Sequence, residues 1–252
     1  MKAMEFHVLS HTHWDREWYL PFQQFRRMLV HLIDDLLEIL EKDKDFKHFH
    51  LDGQSIILED YLAVRPERKK DLQRFAKAGR LSVGPWYVLS DSYLVHGEST
   101  IRNLYIGHQI ASEFSEVCKA GYLPDQFGNI SQLPQIFQGF GIKQAVFGRG
   151  YFLKEGRTSE IEWTSPDGSS VFALHLTCWY NNFQRPASDV RQAAKQVRHL
   201  RDFMKQYITS PCLLLMNGVD HINVQPDIGQ IVKKLNRHFK GDKVIHTDLE
   251  SF

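Results

Sequence analysis

EFHVLSHTHWDREW, residues 5–18, joins a short apolar run to a cluster of imidazole and carboxylate groups. The run from Phe6 to Leu9 has the hydrophobicity of a buried strand, and polar residues follow where such a strand would meet solvent. Alternate side chains of an extended segment share a face, so His11, His13 and Asp15 should point the same way. An imidazole and a carboxylate two residues apart suit a divalent ion such as zinc. Polar strand-end residues hydrogen-bonded to nearby loops are the alternative interpretation.

The composition is that of an enzyme domain without a strongly charged partner. The 252 residues, 42% of them hydrophobic, can bury the core of one α/β domain. Lys and Arg total 31 against 30 Asp and Glu, a balance that argues against nucleic acid as partner. The longest apolar runs, such as 212–216, are too short to span a membrane, and residues 1–5 lack the apolar core of a signal peptide. We therefore expect a cytoplasmic protein with no membrane contact.

Short apolar runs alternate with amphipathic helices, a pattern typical of parallel sheets with crossover helices. Helical spacing runs from Phe25 to Leu40, and further helices are predicted at 99–119, 188–207 and 226–239, the first two opened by capping serines. Strands are predicted at 5–10, 48–52, 81–90, 121–124, 144–148, 171–177, 212–217 and 243–247. Because no repeat or linker divides the chain, we predict one domain over residues 1–252.

The three cysteines are widely spaced among apolar neighbours, which is typical of small core residues. Their odd number and spacing predict neither a disulfide framework nor a metal knuckle. They are Cys118, Cys178 and Cys212.

Two further carboxylates follow predicted strands. Asp125 comes after the run 121–124, and Asp220 follows the run 212–217. In an α/β barrel the C-terminal strand ends converge on one face, so both could share a pocket with His13 and Asp15. Each aspartate alone could be a helix cap or a turn residue. Their joint placement after strands favours a site.

Seven segments carry a resemblance that spans nearly the whole chain. They are His13-x-Asp15-x-x-Trp18, LDGQ at 51–54, GPWY at 84–87, GYLPDQFG at 121–128, FGRG at 147–150, the segment 163–168, and NGVDH at 217–221. In these segments and their order, the sequence resembles the catalytic N-terminal domain of the glycoside hydrolase family 38 α-mannosidases.

The resemblance implies a fold, a reaction and a set of site residues. The implied fold is a distorted seven-stranded α/β barrel with mostly parallel strands. The implied reaction is retaining hydrolysis of α-mannosidic bonds, with zinc orienting the mannose 2- and 3-hydroxyls. The implied zinc ligands are His13, Asp15 and Asp125, and Asp125 is also the implied nucleophile. The implied general acid/base is Asp220. The implied lining of the mannose subsite is Trp18, Phe127 and Arg149.

Two of these assignments have alternatives. Trp18 and Phe127 could be core aromatics rather than a platform for the sugar. His11 precedes the motif, so it is expected only to support the site.

The chain also departs from the family. Family members continue into a helical bundle and β-domains, and a histidine from that later region supplies the fourth zinc ligand. This sequence ends at Phe252, so it is expected to correspond to the barrel domain alone and to hydrolyse α-mannosides poorly or not at all. The expected substrate is an α-mannoside oligosaccharide or a mannosyl-glycerate-type compound. A homo-oligomer is compatible with the full-length enzyme.

Two other functions stay open. Polysaccharide deacetylases use a related barrel with Asp and His zinc ligands near a catalytic Asp, so a metal-dependent deacetylase is one alternative. The segments 121–128 and 217–221 favour a mannosidase over it. An inactive sugar-binding fragment of a mannosidase is the other.

Overall fold

A computed structural model describes residues 3–154 and 156–252 of the protein. The strands are β1 Glu5–Ser10, β2 Phe49–His50, β3 Leu81–Ser82, β4 Ala120–Leu123, β5 Gln144–Phe147, β6 Glu160–Thr164, β7 Ser170–His175, β8 Cys212–Asn217 and β9 Lys243–His246. The helices are α1 Phe22–Lys42, α2 Ile56–Leu62, α3 Lys69–Lys77, α4 Gly97–Ser112, α5 Leu133–Gly139, α6 Val190–Met204 and α7 Ile228–His238.

The strands pair in three hydrogen-bonded groups, in the orders β8-β1-β9, β2-β3 and β4-β5-β7-β6. Every pairing is parallel except that of β6 with β7. A bridge between His11 and His50 joins the first two groups, and the Cys118 amide donates to the Val83 carbonyl between the second and third. The prediction of an α/β fold with mostly parallel strands is confirmed.

The predicted count of seven strands is not confirmed, because the described residues form nine. Each of the eight segments predicted as strands contains one, although the segments 48–52 and 81–90 shorten to two residues each. The ninth, β6, is an antiparallel strand on the edge of the β7 group, where only one neighbour pairs with it. Its residues are mostly half-buried or exposed, so it has no continuous apolar run.

The helix starts also differ from the predicted serine caps. The Asp189 carboxylate caps α6 by accepting the amide hydrogens of Arg191 and Gln192. The His96 ring accepts the Glu98 amide at the start of α4, which places Ser99 inside the helix. The short helices α2, α3 and α5 were not predicted. None of the described helices has both the length and the hydrophobicity needed to cross a membrane.

The two faces of β1 bury different parts of the core. Phe6 and Val8 pack outward against the apolar side of α1, which contributes Leu29 and Leu36 to the same cluster. Leu9, which lies on the opposite face of β1, points inward. It packs in an apolar cluster with Tyr122, Val146, Leu174, Leu214 and Met216. Helices therefore cover the outside of the sheet, and side chains fill the inside, as in a closed or nearly closed barrel.

Pairing between β1 and β8 positions the polar residues that follow both strands. The register runs from Glu5 opposite Cys212 to Ser10 opposite Asn217. An isolated parallel bridge between His13 and Asp220 continues it beyond the strands. The segment 11–15 is thus fixed beside the segment 217–221 at the C-terminal ends of the strands.

Replacing Gly218 with alanine should destabilise this junction. A Cβ atom at this position would lie 2.1 Å from the backbone oxygen of His11, so the two segments would have to separate. We expect the free energy of unfolding to fall by roughly 1–3 kcal/mol, the usual range for overpacking, as measured by denaturant titration. Gly139→Ala is the matched control, because nothing lies within 4 Å of its added Cβ. Equal losses in both variants would contradict the prediction.

A buried histidine should make the fold sensitive to acid. The Nδ1 atom of His246 accepts the Lys47 amide, and Nε2 lies 3.0 Å from Ser10 Oγ, which donates to Asn217 Oδ1. Nε2 therefore carries the single proton, and a second proton would face the Lys47 N–H. Burial lowers the pKa of His246 from 6.5 to about 3.

The sign of the pH effect follows from that lowered pKa. Below about pH 6.5 the unfolded chain binds a proton at His246, whereas the folded chain does not. The stability that is present above this pH is therefore lost as the pH falls towards 3. We expect a loss of about 1.4 kcal/mol in total from this group between about pH 7.5 and about pH 5.5, measured by denaturant titration. His246→Gln should flatten the slope, whereas the exposed control His31→Gln should keep it. A wild-type protein equally stable at both pH values would disprove this account.

Candidate active site

A cleft of about 680 Å³ lies at the C-terminal ends of the strands. The seven residues that the sequence analysis selected all line it: His13, Asp15, Trp18, Asp125, Phe127, Arg149 and Asp220. They come from the ends of β1, β4, β5 and β8 and from the loops that follow. The parallel pairing of those strands is what brings residues so distant in sequence into one cleft.

His13 is buried, and its two ring nitrogens face different groups. Nδ1 lies 3.0 Å from one oxygen of the Asp52 carboxylate and 3.1 Å from the other. Nε2 faces the cleft, 3.6 Å from Asp15 Oδ1 and 3.9 Å from Asp125 Oδ2. With Nδ1–H donating to Asp52, Nε2 is the ring nitrogen that faces the two carboxylates of the cleft.

Asp52 holds this imidazole from behind. Its side chain is fully buried, and it also accepts hydrogen bonds from the Trp14 amide and from Gln54 Nε2, both at 2.7 Å. Burial disfavours a charged imidazole at His13, but the Asp52 carboxylate outweighs that effect, and the pKa of His13 is raised to about 9. Asp15 and Asp125 act in the same direction. In the absence of metal, the three carboxylates therefore favour positive charge on the His13 ring.

Arg149 fixes the orientation of Asp125. Its Nε donates to Asp125 Oδ1 at 2.8 Å and to the Asp125 backbone oxygen at 3.0 Å. The guanidinium lies 4.1 Å from the Phe127 ring centre and 4.7 Å from that of Trp179. One carboxylate oxygen of Asp125 is thus held by Arg149, which leaves Oδ2 directed towards His13.

Asp220, whose backbone bridges to His13, has its own hydrogen-bond donor. The Tyr180 hydroxyl donates to Asp220 Oδ1 at 2.9 Å. Burial raises the pKa of Tyr180, and the charges of Asp125 and Asp220 raise it further, so the phenol stays protonated. Tyr180 therefore acts as a constant donor to Asp220.

His221 connects Asp220 to the first motif. Its Nε2 accepts the Asp15 amide at 3.1 Å, and its ring packs against Trp14 and Phe25. Burial lowers the pKa of His221, which favours the neutral ring that this acceptor role needs. The backbone of Asp15 is thereby anchored to the residue after Asp220.

Two aromatic side chains are exposed to the cleft. Trp18 is 70% exposed and Phe127 is 62% exposed, so neither is the core residue that the alternative interpretation required. His11, by contrast, is buried, and its Nε2 contacts the Tyr180 carbonyl at 2.8 Å. It supports the wall and does not line the cleft.

The donor set fits a divalent cation. An imidazole nitrogen and two carboxylates are zinc ligands, and donors around one tetrahedral zinc stand about 3.3–3.5 Å apart, close to the separations from His13 Nε2. Among the described residues, only a separate group at the other end of β1 has three ligand atoms all within 4.8 Å of one another, so the three donors of the cleft are more widely spaced than that.

The sequence analysis assigned no role to Asp52, Trp179 or Tyr180. Asp52 lies in the quoted segment 51–54, and an acidic residue directly after a strand is the signal that could have identified it. Trp179 and Tyr180 follow β7 in a loop with no recognisable spacing to the other motifs. Only the fold shows that they reach the same cleft.

Proteins of similar sequence and fold indicate the family of this chain. A relative from Halalkalibacterium halodurans named "Putative mannosylglycerate hydrolase" is 39% identical over 98% of this chain and 29% of its own length. A crystal structure of an alpha-mannosidase from Enterococcus faecalis V583 has 38% identity and a TM-score of 0.95 over 99% of this chain and 28% of that one. The chain thus spans less than a third of the length of these two relatives.

A more distant structure shares the fold alone. It is a "putative polysaccharide deacetylase" from Mycobacterium smegmatis, with 11% identity and a TM-score of 0.60 over 97% of this chain and 88% of that one. The family comparison is more specific, because the description "Glycosyl hydrolases family 38 N-terminal domain" matches residues 3–250. The chain therefore belongs to glycosyl hydrolase family 38, as its N-terminal domain.

Proposed function

We propose that the protein is a retaining α-mannosidase that uses the cleft at the C-terminal strand ends. The observation that carries the proposal is the position of Asp125 and Asp220 around His13 in a member of family 38. A retaining glycosidase needs one carboxylate as nucleophile and a second, about 5 Å away, as acid/base. The two carboxylates here have different environments, one paired with Arg149 and one with Tyr180.

Asp125 is the proposed nucleophile. Arg149 holds its Oδ1 and orients the group, which leaves Oδ2 for attack on the anomeric carbon. Asp220 is the proposed general acid/base. It donates a proton to the departing oxygen, and in the second half of the reaction it takes a proton from water. Tyr180 binds one oxygen of Asp220 and leaves the other free for that transfer.

We propose that His13, Asp15 and Asp125 hold a zinc ion. When bound, zinc supplies a positive centre that orients the mannose 2- and 3-hydroxyls. Asp52 keeps Nδ1 of His13 engaged, so Nε2 is the only nitrogen available to the ion. Trp18 and Phe127 provide exposed aromatic faces on which the C–H face of the sugar can rest.

The proposed substrate is an α-mannoside oligosaccharide or a mannosyl-glycerate-type compound. The second class is supported by the name of the Halalkalibacterium halodurans relative. Deacetylation is less well supported, because the similarity to the Mycobacterium smegmatis structure is one of fold at 11% identity. A cytoplasmic location and a homo-oligomeric full-length enzyme stay predictions.

Substitutions at the two carboxylates should have different effects on different leaving groups. Asp125→Asn should abolish turnover of both nitrophenyl and dinitrophenyl α-mannoside, because no glycosyl-enzyme can form. Asp220→Asn should slow hydrolysis of an unactivated α-mannoside by about 10²–10⁴-fold but spare dinitrophenyl mannoside, whose leaving group needs no proton. The measurement is kcat of the full-length enzyme on each substrate, because the barrel domain alone is expected to hydrolyse α-mannosides poorly or not at all. Asp202→Asn, an exposed carboxylate on α6, is the control and should change neither. Equal loss on all substrates in Asp220→Asn would refute the division of roles.

Removing the negative charge of Asp52 next to His13 should weaken zinc binding. Asp52→Asn cannot stabilise the Nδ1–H of His13 as a carboxylate does, so zinc affinity should fall by about 10–100-fold. Competition with a chromophoric chelator measures this directly, and saturating zinc should restore most of the activity. Asp34→Asn serves as the control, since Asp34 pairs with Tyr61 and Arg65 outside the cleft. Unchanged zinc affinity in Asp52→Asn would mean that His13 does not ligate the ion through Nε2.

A further inference from the structure

A second cluster of ligand-type side chains lies at the opposite end of the β1–β8 pair. Glu5 and His7 are two residues apart on β1, so their side chains share the inward face with Leu9. Cys212 lies directly opposite Glu5 in the parallel register. One oxygen, one nitrogen and the sulfur of these three residues all lie within 4.8 Å of one another.

Among the residues that the structure describes, the imidazole of His7 has no hydrogen-bond partner. Its side chain is 7% exposed, and neither Nδ1 nor Nε2 is hydrogen-bonded. Glu5 Oε2 is 3.6 Å from Nε2, beyond hydrogen-bond distance, and the Phe252 ring packs edge-on against the imidazole at 5.1 Å. An unsatisfied buried polar group costs about 1–3 kcal/mol, so a ligand that binds this ring would remove that cost.

We propose that Glu5, His7 and Cys212 form a second metal site, for a zinc-type divalent transition ion, distinct from the candidate active site. Imidazole, thiolate and carboxylate together favour zinc over magnesium or calcium, which prefer oxygen ligands. Donors around a tetrahedral zinc with one thiolate stand about 3.5 Å apart, so small side-chain rotations close the present cluster onto an ion. Water completes the fourth position.

The neighbouring groups are compatible with this site. Lys243 on β9 donates to Glu5 Oε1 at 2.9 Å, which leaves Oε2 on the side of His7. The Cys212 thiol releases its proton to water as the sulfur–metal bond forms.

The site would act as a clamp between β1 and β8. Those strands carry the His13–Asp220 bridge at their other ends. A metal bond between Cys212 and the β1 residues would cross-link positions more than 200 residues apart in sequence. The metal therefore stabilises the folded state and not the chemistry of the cleft.

Cobalt substitution tests the site without relying on enzyme activity. The purified protein is freed of metal with a chelator and titrated with Co²⁺. A cysteine ligand gives a thiolate-to-cobalt charge-transfer band in the near ultraviolet, and no cysteine lines the candidate active site. We expect the wild-type protein to show the band, Cys212→Ser to lose it, and His7→Gln to bind at least tenfold more weakly. Cys178→Ser, which removes another half-buried thiol, should keep it.

A second measurement separates the two sites. Asp15→Asn should lower the amount of bound metal at the cleft but leave the thiolate band unchanged, so failure of the mannosidase proposal does not affect this one. A wild-type protein without the band overturns the proposal, whatever the folding of the variants. A Cys212→Ser protein that folds, as judged by circular dichroism, and still shows the band overturns it as well.

Discussion

The parallel pairing of β1 with β8 is the constraint on which the rest of the structure depends. It joins the first strand of the chain to one that begins at Cys212, in a six-residue register that admits no slip. A shift by one residue would turn Phe6 and Val8 from the helix-covered face to the interior and would turn His7 towards the helices. It would also turn His13 away from the cleft. The register that buries the core is therefore the register that assembles the site.

The second constraint is the buried carboxylate of Asp52. A fully buried charge is stable only when hydrogen bonds replace its hydration, and Asp52 receives them from Trp14, Gln54 and His13. These donors lie on two different segments, so the carboxylate ties the end of β1 to the loop after β2. Its charge also raises the pKa of His13, which burial alone would lower.

Much of the fold was predictable because its signals are local. Buried parallel strands read as apolar runs, and β1, β4, β5 and β8 were found that way. The edge strand β6 was missed, because a strand paired on one side and half-exposed carries no such run. The caps of α4 and α6 were misassigned because several polar residues precede each helix, and backbone geometry selected His96 and Asp189 among them.

The site was predictable only where its residues belong to motifs. His13, Asp15 and Asp125 sit in recognisable segments, whereas Tyr180 acts through one hydrogen bond that depends on where the loop after β7 is placed. The group at the other end of β1 was missed for the same reason. Glu5 and Cys212 become neighbours only through the β1–β8 register, so their spacing in sequence carries no information about it.

Backbone conformation adds a final link between fold and site. Among the described residues four non-glycine positions have positive φ, and three of them, Asp52, Trp179 and His221, belong to the cleft or its support. Each such residue costs on the order of 1–3 kcal/mol and persists only where its surroundings enforce the conformation. They do so here, since the Asp52 side chain accepts three hydrogen bonds and the His221 amide donates to the His13 carbonyl. The strained backbone is tolerated because the hydrogen bonds that hold it also orient His13. Relaxing the backbone would therefore release His13 from its position.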